Sequence, residues 1–418
     1  MERPVTLAVV GAGSRGRTFS GFAERYPEQA RVVAVAEVRA DRRDHLADRF
    51  DVAADRRFDD WRELAGRGRI ADAVVVTTPD REHAGPARRF CELGYHVLLE
   101  KPMAPTRAEC VEIVGAVESS GVILAVCHVL RYTAYTEAVK RVVDEGRLGR
   151  IIGVEHLEPI GWWHFAHSYV RGNWRRSTDS GPTVLTKCCH DFDWLRHIVG
   201  REALTVSSQG GLRHFTAANR PPGAADRCSD CPVEASCPYS AVRLYIGGLG
   251  DPQRERWPLS VVTTDLTEQG IRAALRDGPY GRCVYACDND VADHQIVQID
   301  FEGGITATLT MSAFTPFAQR RTRIMGTHGF LDGDGEQISV TDFVSGRVES
   351  IALADKSAST DGSHRDGDLG VISAFVQAVA TGDRTLIRSG PRESLEGHLM
   401  AFAAERSRLT GVPVQVWQ

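Results

Sequence analysis

The sequence predicts an α/β protein in two parts: a doubly wound parallel sheet over residues 1–127, then an α/β domain over 128–418 with a mainly antiparallel open sheet. Three observations carry this expectation. Short apolar runs alternate with amphipathic stretches through the first 127 residues, as parallel βαβ units require. Beyond Ile151 the runs become alternating, as in Gln295-Ile296-Val297-Gln298-Ile299-Asp300-Phe301, the pattern of half-buried antiparallel strands. The length of 418 residues, 42% hydrophobic and 25% charged, suits two or more globular domains and excludes disorder, collagen and coiled coil.

The elements follow in order. Leu7 to Val10, Val32 to Ala36, Ala73 to Val76, His96 to Leu99 and Val122 to Val126 read as strands, apolar on both faces because helices cover each side. A Trp- and His-rich loop region follows Ile151, then a helix near 183–199. The segment from about Gly210 to Pro258 is rich in Gly, Pro and Cys, and a loop of that length is usually functional or tied down. Strands are expected at 295–301, 305–311, 322–325 and 338–343, and closing helices at about 370–380 and 391–409.

Charge narrows the partner. With 50 Lys+Arg against 55 Asp+Glu the net charge is −5, so no basic field exists for nucleic acid or an anionic membrane. A small molecule is the expected ligand. The start Met1-Glu2-Arg3-Pro4 lacks signal-peptide character and no apolar run reaches spanning length, so a soluble cytoplasmic protein is expected.

Gly11-Ala12-Gly13-Ser14-Arg15-Gly16 follows the first strand directly and opens a helix, the context of a dinucleotide-binding Rossmann turn. Gly11 permits the tight turn, Gly13 admits a pyrophosphate, and Gly16 lets helix and strand pack closely. The helix start, with Ser14 and Arg15, offers free N–H groups to the anion. Glu37 ends the second strand, where a carboxylate accepts from the adenosine ribose hydroxyls. NAD is therefore expected ahead of NADP, although Arg39, Arg42 and Arg43 stand close enough to meet a 2′-phosphate. Thr78 and Pro79 at the end of the next run, with His83 after them, are expected to flank the nicotinamide half.

Lysine occurs only at 101, 140, 187 and 356, against 46 arginines. Where Arg serves for almost every cation, a surviving Lys suggests a compact ammonium able to trade its proton. Glu100-Lys101-Pro102 leaves a strand end on the crevice side, and the residue before proline is held extended, so Lys101 should project forward. Within the 183–199 helix, spacing puts Leu185, Cys189, Phe192 and Val199 on one face and Lys187, His190, Asp191 and Trp194 on another. Lys187 and His190, at i and i+3, then project together.

The glycine motif, Glu37, Glu100-Lys101-Pro102 and a distal helix carrying His190 with Asp193 together resemble the glucose-fructose oxidoreductase, inositol dehydrogenase and rhizopine-catabolism (Gfo/Idh/MocA) family over essentially the whole chain. The resemblance implies hydride transfer between NAD(P) and a sugar, polyol or related alcohol. It also implies an open sheet that often makes oligomer contacts, hence a homodimer or tetramer. By the same resemblance Lys101 and His190 form the active-site pair and Pro102 orients the lysine. The family commonly has Asp four residues before the His; here that position is Thr186, followed by Lys187, which adds Lys187 as a third acid/base candidate. Some relatives cleave glycosides through a transient NAD-dependent oxidation, which makes a glycosidase the alternative activity. A non-enzymatic NAD-binding sensor is a third, opposed by Lys101 and His190.

Substrate contacts are expected from Trp163, His164, His167, Arg171, Asn173 and Trp174, where aromatic platforms alternate with hydrogen-bonding groups as suits a sugar. A buried aromatic cluster is the alternative. Tyr132 is a further candidate, with Lys187 and His190. Finally Cys228-Ser229-Asp230-Cys231 with Cys237 has zinc-knuckle spacing; Cys283, Cys287 or His214 would supply a fourth ligand to a structural zinc.

Overall fold

In the computed structural model, which describes residues 3–353 and 365–418, two sheets are built side by side. The first has six parallel strands in the order β3-β2-β1-β4-β5-β6. They are β1 Val5–Val10, β2 Ala30–Ala36, β3 Arg57–Phe58, β4 Ala73–Val76, β5 His96–Leu99 and β6 Leu124–Val126. β4 and β5 coincide with the apolar runs read from sequence, whereas β3 is two residues long and has no run of its own. The chain reverses direction of winding between β1 and β4, so the carboxyl ends of these two strands open a crevice.

One helix layer of this sheet comes from far along the chain. The helix Arg365–Thr381 presses Val371, Ile372, Phe375 and Val376 into the same core as Leu7, Val9, Phe19 and Leu98. The expected helix at 370–380 is thus longer at its N-terminal end, and it serves the first sheet.

The second sheet has nine strands in the order β14-β13-β12-β11-β7-β10-β9-β8-β15. These are β7 Ile151–Pro159, β8 Ala203–Gly211, β9 His294–Phe301, β10 Ile305–Ser312, β11 Arg321–Gly326, β12 Gly329–Gly333, β13 Ile338–Asp342, β14 Val348–Ile351 and β15 Val414–Gln415. Every pair is antiparallel except β7 with β10. β7 falls where the sequence suggested Trp- and His-rich loops. Its Val154 and Ile151 are buried while Ile152 and Glu155 face outward, an alternation hidden by His156 and Glu158, which are also buried.

Helices Cys189–Val199 and Pro391–Thr410 cover the inner face of this sheet. The latter also packs on helix Arg107–Ser120 of the first part, and His398 Nε2 accepts the Met103 N–H at 2.9 Å. The outer face leaves Ile152, Leu204 and Ile296 exposed.

The 210–258 segment is a chain of short helical turns that continues into helix Glu268–Asp277. Ala241, Tyr245, Leu259, Ile271 and Leu275 close a small core of their own. Arg227 donates to the Leu275 carbonyl at 2.9 Å, and Arg171 to the Tyr239 carbonyl at 2.8 Å. Apolar burial and two anchoring guanidinium groups therefore order this segment.

Candidate active site

The turn after β1 is built on glycine. Gly11 has φ +94°, and a Cβ there would stand 2.6 Å from the Thr77 carbonyl oxygen; at Gly16 it would stand 2.0 Å from the Gly11 carbonyl. Gly13 is different, because a Cβ there would meet nothing within 4 Å. That open space lies at the start of helix Ser14–Arg25, which has no side-chain cap, so its first amides are left for an anion. Glu37 accepts the Ala12 N–H at 2.8 Å on one oxygen and the Arg39 N–H at 3.0 Å on the other. Each oxygen keeps a lone pair for a ribose hydroxyl. These residues fit a dinucleotide.

The remaining cofactor candidates line the same crevice, but two have partners that the sequence did not suggest. Arg15 pairs with Glu100 and donates twice to Asp368, at 3.0 and 2.7 Å, so its charge is balanced within the protein. His83 places one ring nitrogen 2.7 Å from the Pro102 carbonyl and the other 2.8 Å from that of Thr78. It braces the Lys-Pro turn against the end of β4. Burial raises the Glu100 carboxyl, yet Arg15 and Lys101 outweigh burial and hold it below the usual carboxylate range.

Lys101 reaches across to the second part of the chain, its Nζ donating to the Thr186 carbonyl at 2.8 Å. That carbonyl is available because the expected continuous helix is broken. A single turn, Thr183–Thr186, ends at Lys187, and helix Cys189–Val199 starts anew after Cys188. The expected polar face also fails: Asp191 and Trp194 are as buried as Phe192, at 0, 2 and 0% exposure. Asp191 is held by Arg320 and by His156 at 3.0 Å, Asp193 takes two bonds from Arg131 at 2.7 and 2.9 Å, and Trp194 donates to Thr136 at 2.9 Å. Buried polar bonds on three sides fix the helix, and with it His190, which lines the crevice.

Lys187 lies 3.4 Å from Glu158, whose carboxylate also meets Arg320 at 2.7 Å. Behind His190 stands His128, ring centroids 5.6 Å apart, and behind that His398 at 5.5 Å. Burial, then Arg131 and Lys101, push the His128 imidazole well below its ordinary range, so it is neutral.

Of the expected substrate residues, His164, His167, Asn173, Trp174, Lys187 and His190 line the crevice. Trp163 instead packs between Trp257 and Phe317, with centroids 5.3 and 5.0 Å away. Tyr132 is buried and receives the backbone N–H groups of Arg388 and Ser389 at 2.9 and 3.2 Å. Arg171 is buried against the Tyr239 and Arg282 carbonyls and 3.5 Å from Cys228 Sγ. These three lie outside the crevice lining, because the polar ends of Tyr132 and Arg171 are taken by internal partners and the Trp163 ring is packed against other aromatics.

Cys228, Cys231, Cys237 and Cys283 do gather around one small cavity, with Arg171 beside them. All four are free thiols. Among the described residues no group of three or more His, Cys, Asp or Glu is arranged to hold a metal ion, and the ordering expected of zinc is supplied by the core and the arginine bonds described above.

Sequence reasoning missed Asp80, Glu158, His128 and Arg320. Asp80 was legible, since it directly follows Thr78-Pro79 at a strand end. Glu158 and Arg320 were not, because the strand carrying one was read as loop and the other lies in the irregular chain just before β11.

The chain belongs to the Gfo/Idh/MocA oxidoreductases. Residues 5–128 match that family's NAD-binding Rossmann fold, and residues 140–416 its C-terminal alpha/beta domain. The curated relatives are matched only in part. 2,7-Anhydro-N-acetylneuraminate hydratase of Escherichia coli is 27% identical over 34% of this chain and 37% of its own length. 1,5-Anhydro-D-fructose reductase of Ensifer adhaerens is 32% identical over 36% and 45%. The chain thus spans about half or less of these relatives. An Agrobacterium radiobacter oxidoreductase, solved with NAD+, L-tartaric acid and magnesium, superposes with a TM-score of 0.72 at 16% identity, covering 99% of this chain and 98% of that one. No helix among the described residues is long and apolar enough to cross a membrane.

Proposed function

We infer that this protein is an NAD-dependent oxidoreductase that moves a hydride at a hydroxyl-bearing carbon of a sugar, polyol or glycoside. The observation that carries the reading is that Lys101 and His190, from the two halves of the chain, both line the crevice that the glycine turn opens. A nicotinamide bound there supplies the hydride acceptor or donor. The chain's own residues do the rest. Lys101 and His190 hold the substrate hydroxyl and exchange its proton within hydrogen-bond reach, with Lys187 as a third candidate. Trp174, His164, His167 and Asn173 present one apolar surface and several polar groups to a polyhydroxylated ligand. NAD is preferred to NADP on this reading, because Glu37 stands at the ribose position and two of the three nearby arginines, Arg39 and Arg43, are engaged with Asp41 and Asp59, which leaves Arg42 alone of the three to meet a 2′-phosphate. Absorbance of reduced nicotinamide across a panel of sugars, inositols and anhydrosugars tests it.

One observation favours a second reading. The Lys101 ammonium meets a neutral carbonyl at Thr186, and Lys187 with Glu158 brings another acid/base pair to the crevice. Relatives named as a hydratase and a reductase are compatible with transient oxidation followed by elimination or glycoside cleavage. Here the cofactor is recycled and an aglycone or dehydrated sugar is released without net reduction, which the same panel separates by product analysis. The exposed outer face of the second sheet is proposed as a contact between copies of the chain, read by light scattering as a dimer or tetramer.

A further inference from the structure

The one parallel pair of the second sheet brings two turns together. β7 and β10 end side by side, with Pro159 opposite Ser312, and the turns that leave them stay joined. The Ile160 N–H donates to the Ser312 carbonyl and the Trp162 N–H to the Thr315 carbonyl, both at 3.1 Å. Gly161 lies at the closest point. It has φ +88°, and a Cβ there would stand 2.7 Å from the Phe317 Cα, so only glycine lets Phe317 approach. The Phe317 and Trp163 ring centroids are then 5.0 Å apart.

A third segment completes this wall. Pro258 and Leu259 are buried, Leu259 in the small core of the Cys-rich segment. The residue before them, Trp257, is left at the crevice with its ring centroid 5.3 Å from that of Trp163 and 6.5 Å from that of Phe317. His164 and His167 stand nearly perpendicular to the Trp257 ring, at 83° and 85°, with centroids 4.8 and 5.4 Å away. Neither brings a charge. Burial, then Lys187, holds His164 well below its ordinary range, and burial with Arg171 lowers His167 to about 3. His167 also commits its Nδ1 to the Tyr245 hydroxyl, 2.8 Å away, and one face to Tyr280, stacked at 4.9 Å. Val261, which is 39% exposed, extends the same lining.

The wall is continuous with the reacting end of the crevice. Glu158, which meets Lys187 at 3.4 Å, comes three residues before Gly161. On the other side, Trp174 donates its indole N–H to Asp80, just beyond the end of β4, at 2.9 Å. Ring contacts of 6.0, 6.3 and 4.8 Å then lead from Trp174 through Tyr169 and His164 to Trp257. A ligand held at Lys101 and His190 therefore lies in the same crevice as a patch of uncharged rings, which offers edge-to-face and stacking contact to a further ring.

We propose that Trp257, Phe317 and Val261 form a subsite for an aromatic aglycone, so that an aryl glycoside is preferred to the free sugar it carries. The proposal deepens the reading of the crevice as a sugar site and rests on it for the sugar end.

The test reads binding and needs no turnover. The full chain, saturated with NAD, is titrated with 4-fluorophenyl glycosides of several sugars, and binding is followed by broadening of the fluorine resonance. The matching methyl glycosides serve as competitors, and 4-fluorophenol is the aglycone alone. For at least one sugar the aryl glycoside is expected to bind about tenfold more tightly than its methyl counterpart, the scale of one added aromatic contact. That ratio should fall toward one in Trp257→Ala. Phe317→Leu, which keeps an apolar side chain and gives up the ring, should lower it in the same direction and carries the test if Trp257→Ala does not fold. Equal affinity for aryl and methyl glycosides, or an undiminished ratio in both folded variants, overturns the proposal and leaves the sugar reading standing. Broadening of 4-fluorophenol that is lost in Trp257→Ala, with no glycoside bound, keeps the aromatic subsite and removes the sugar reading. No broadening of any probe by the wild-type chain overturns the subsite.

Discussion

Lys101 and Thr186, 85 positions apart, are joined by a 2.8 Å hydrogen bond from the lysine Nζ to the threonine carbonyl. The bond ties the end of a parallel strand to a break in a helix of the other half of the molecule, and it points the ammonium at the crevice. Lys101→Met removes this donor and the proton carrier together. Activity should fall by about 10² or more, and stability by about 1 kcal/mol, the typical net worth of one hydrogen bond. Steady-state kinetics and urea unfolding of the same preparation check both.

His190→Asn should lose a comparable factor in rate. Here the stability effect is larger than for a surface histidine, because His190 is only 5% exposed and packs edge-on to His128. A loss of about 1–2 kcal/mol is expected for a buried polar site, read by denaturant midpoint at constant slope.

Gly11→Ala tests the turn. At φ +94° the new Cβ would be 2.6 Å from a backbone oxygen of Thr77, which cannot move as a side-chain tip could. Destabilisation of about 1–3 kcal/mol and loss of NAD binding by calorimetry are expected together. Gly13→Ala has room within the protein and should lose cofactor affinity with little change in melting temperature.

Acid should destabilise the fold before any carboxylate titrates in its usual range. Burial, with Arg171 nearby, lowers His167 to about 3, and burial with His128 lowers His398 to about 3. Burial and Lys187 hold His164 well below its ordinary range, as burial and Arg131 hold His128. These groups stay neutral in the folded chain while an unfolded histidine takes its proton near pH ~6.5. Below that pH the unfolded state binds more protons, so stability declines by about 1.4 kcal/mol per pH unit for each such histidine, and the decline continues toward pH ~3, where the folded groups titrate. The melting temperature should be flat between pH ~7 and ~8 and fall steeply on descending from pH ~6.5; a flat profile to pH ~5 would contradict the neutral assignments.

Much of this architecture was legible in the sequence. The runs at 73–76 and 96–99 gave β4 and β5 to the residue, because strands buried on both faces read as unbroken apolar stretches. The glycine turn and Glu37 were legible because each directly follows a strand that its own apolar run marks, β1 and β2. What escaped is nonlocal. The break at Lys187–Cys188 depends on partners such as Arg320, Arg131 and His156, which lie tens to more than a hundred residues away and override helical periodicity. Arg171 and Trp163 looked like ligand contacts by residue type, and only packing reveals that their polar or apolar surfaces are already covered. β7 escaped because its buried face carries His156 and Glu158, polar side chains with internal partners that disguise a core strand.

The central claim is that this crevice transfers a hydride with Lys101 as the proton carrier. The most direct measurement incubates the chain with NAD and carbon-deuterated sugars, inositols and anhydrosugars, then reads deuterium in the nicotinamide pool by mass spectrometry. Rapid quench with enzyme in excess reads the deuterated reduced cofactor before a transient cycle can return the deuteride to the sugar, so transfer registers whether the oxidation is net or transient. The account predicts deuterium incorporation with the wild-type chain on at least one member of the panel, reduced by about 10² or more in Lys101→Met. NAD binding with no deuterium transfer from any member, or wild-type transfer by folded Lys101→Met, would contradict it.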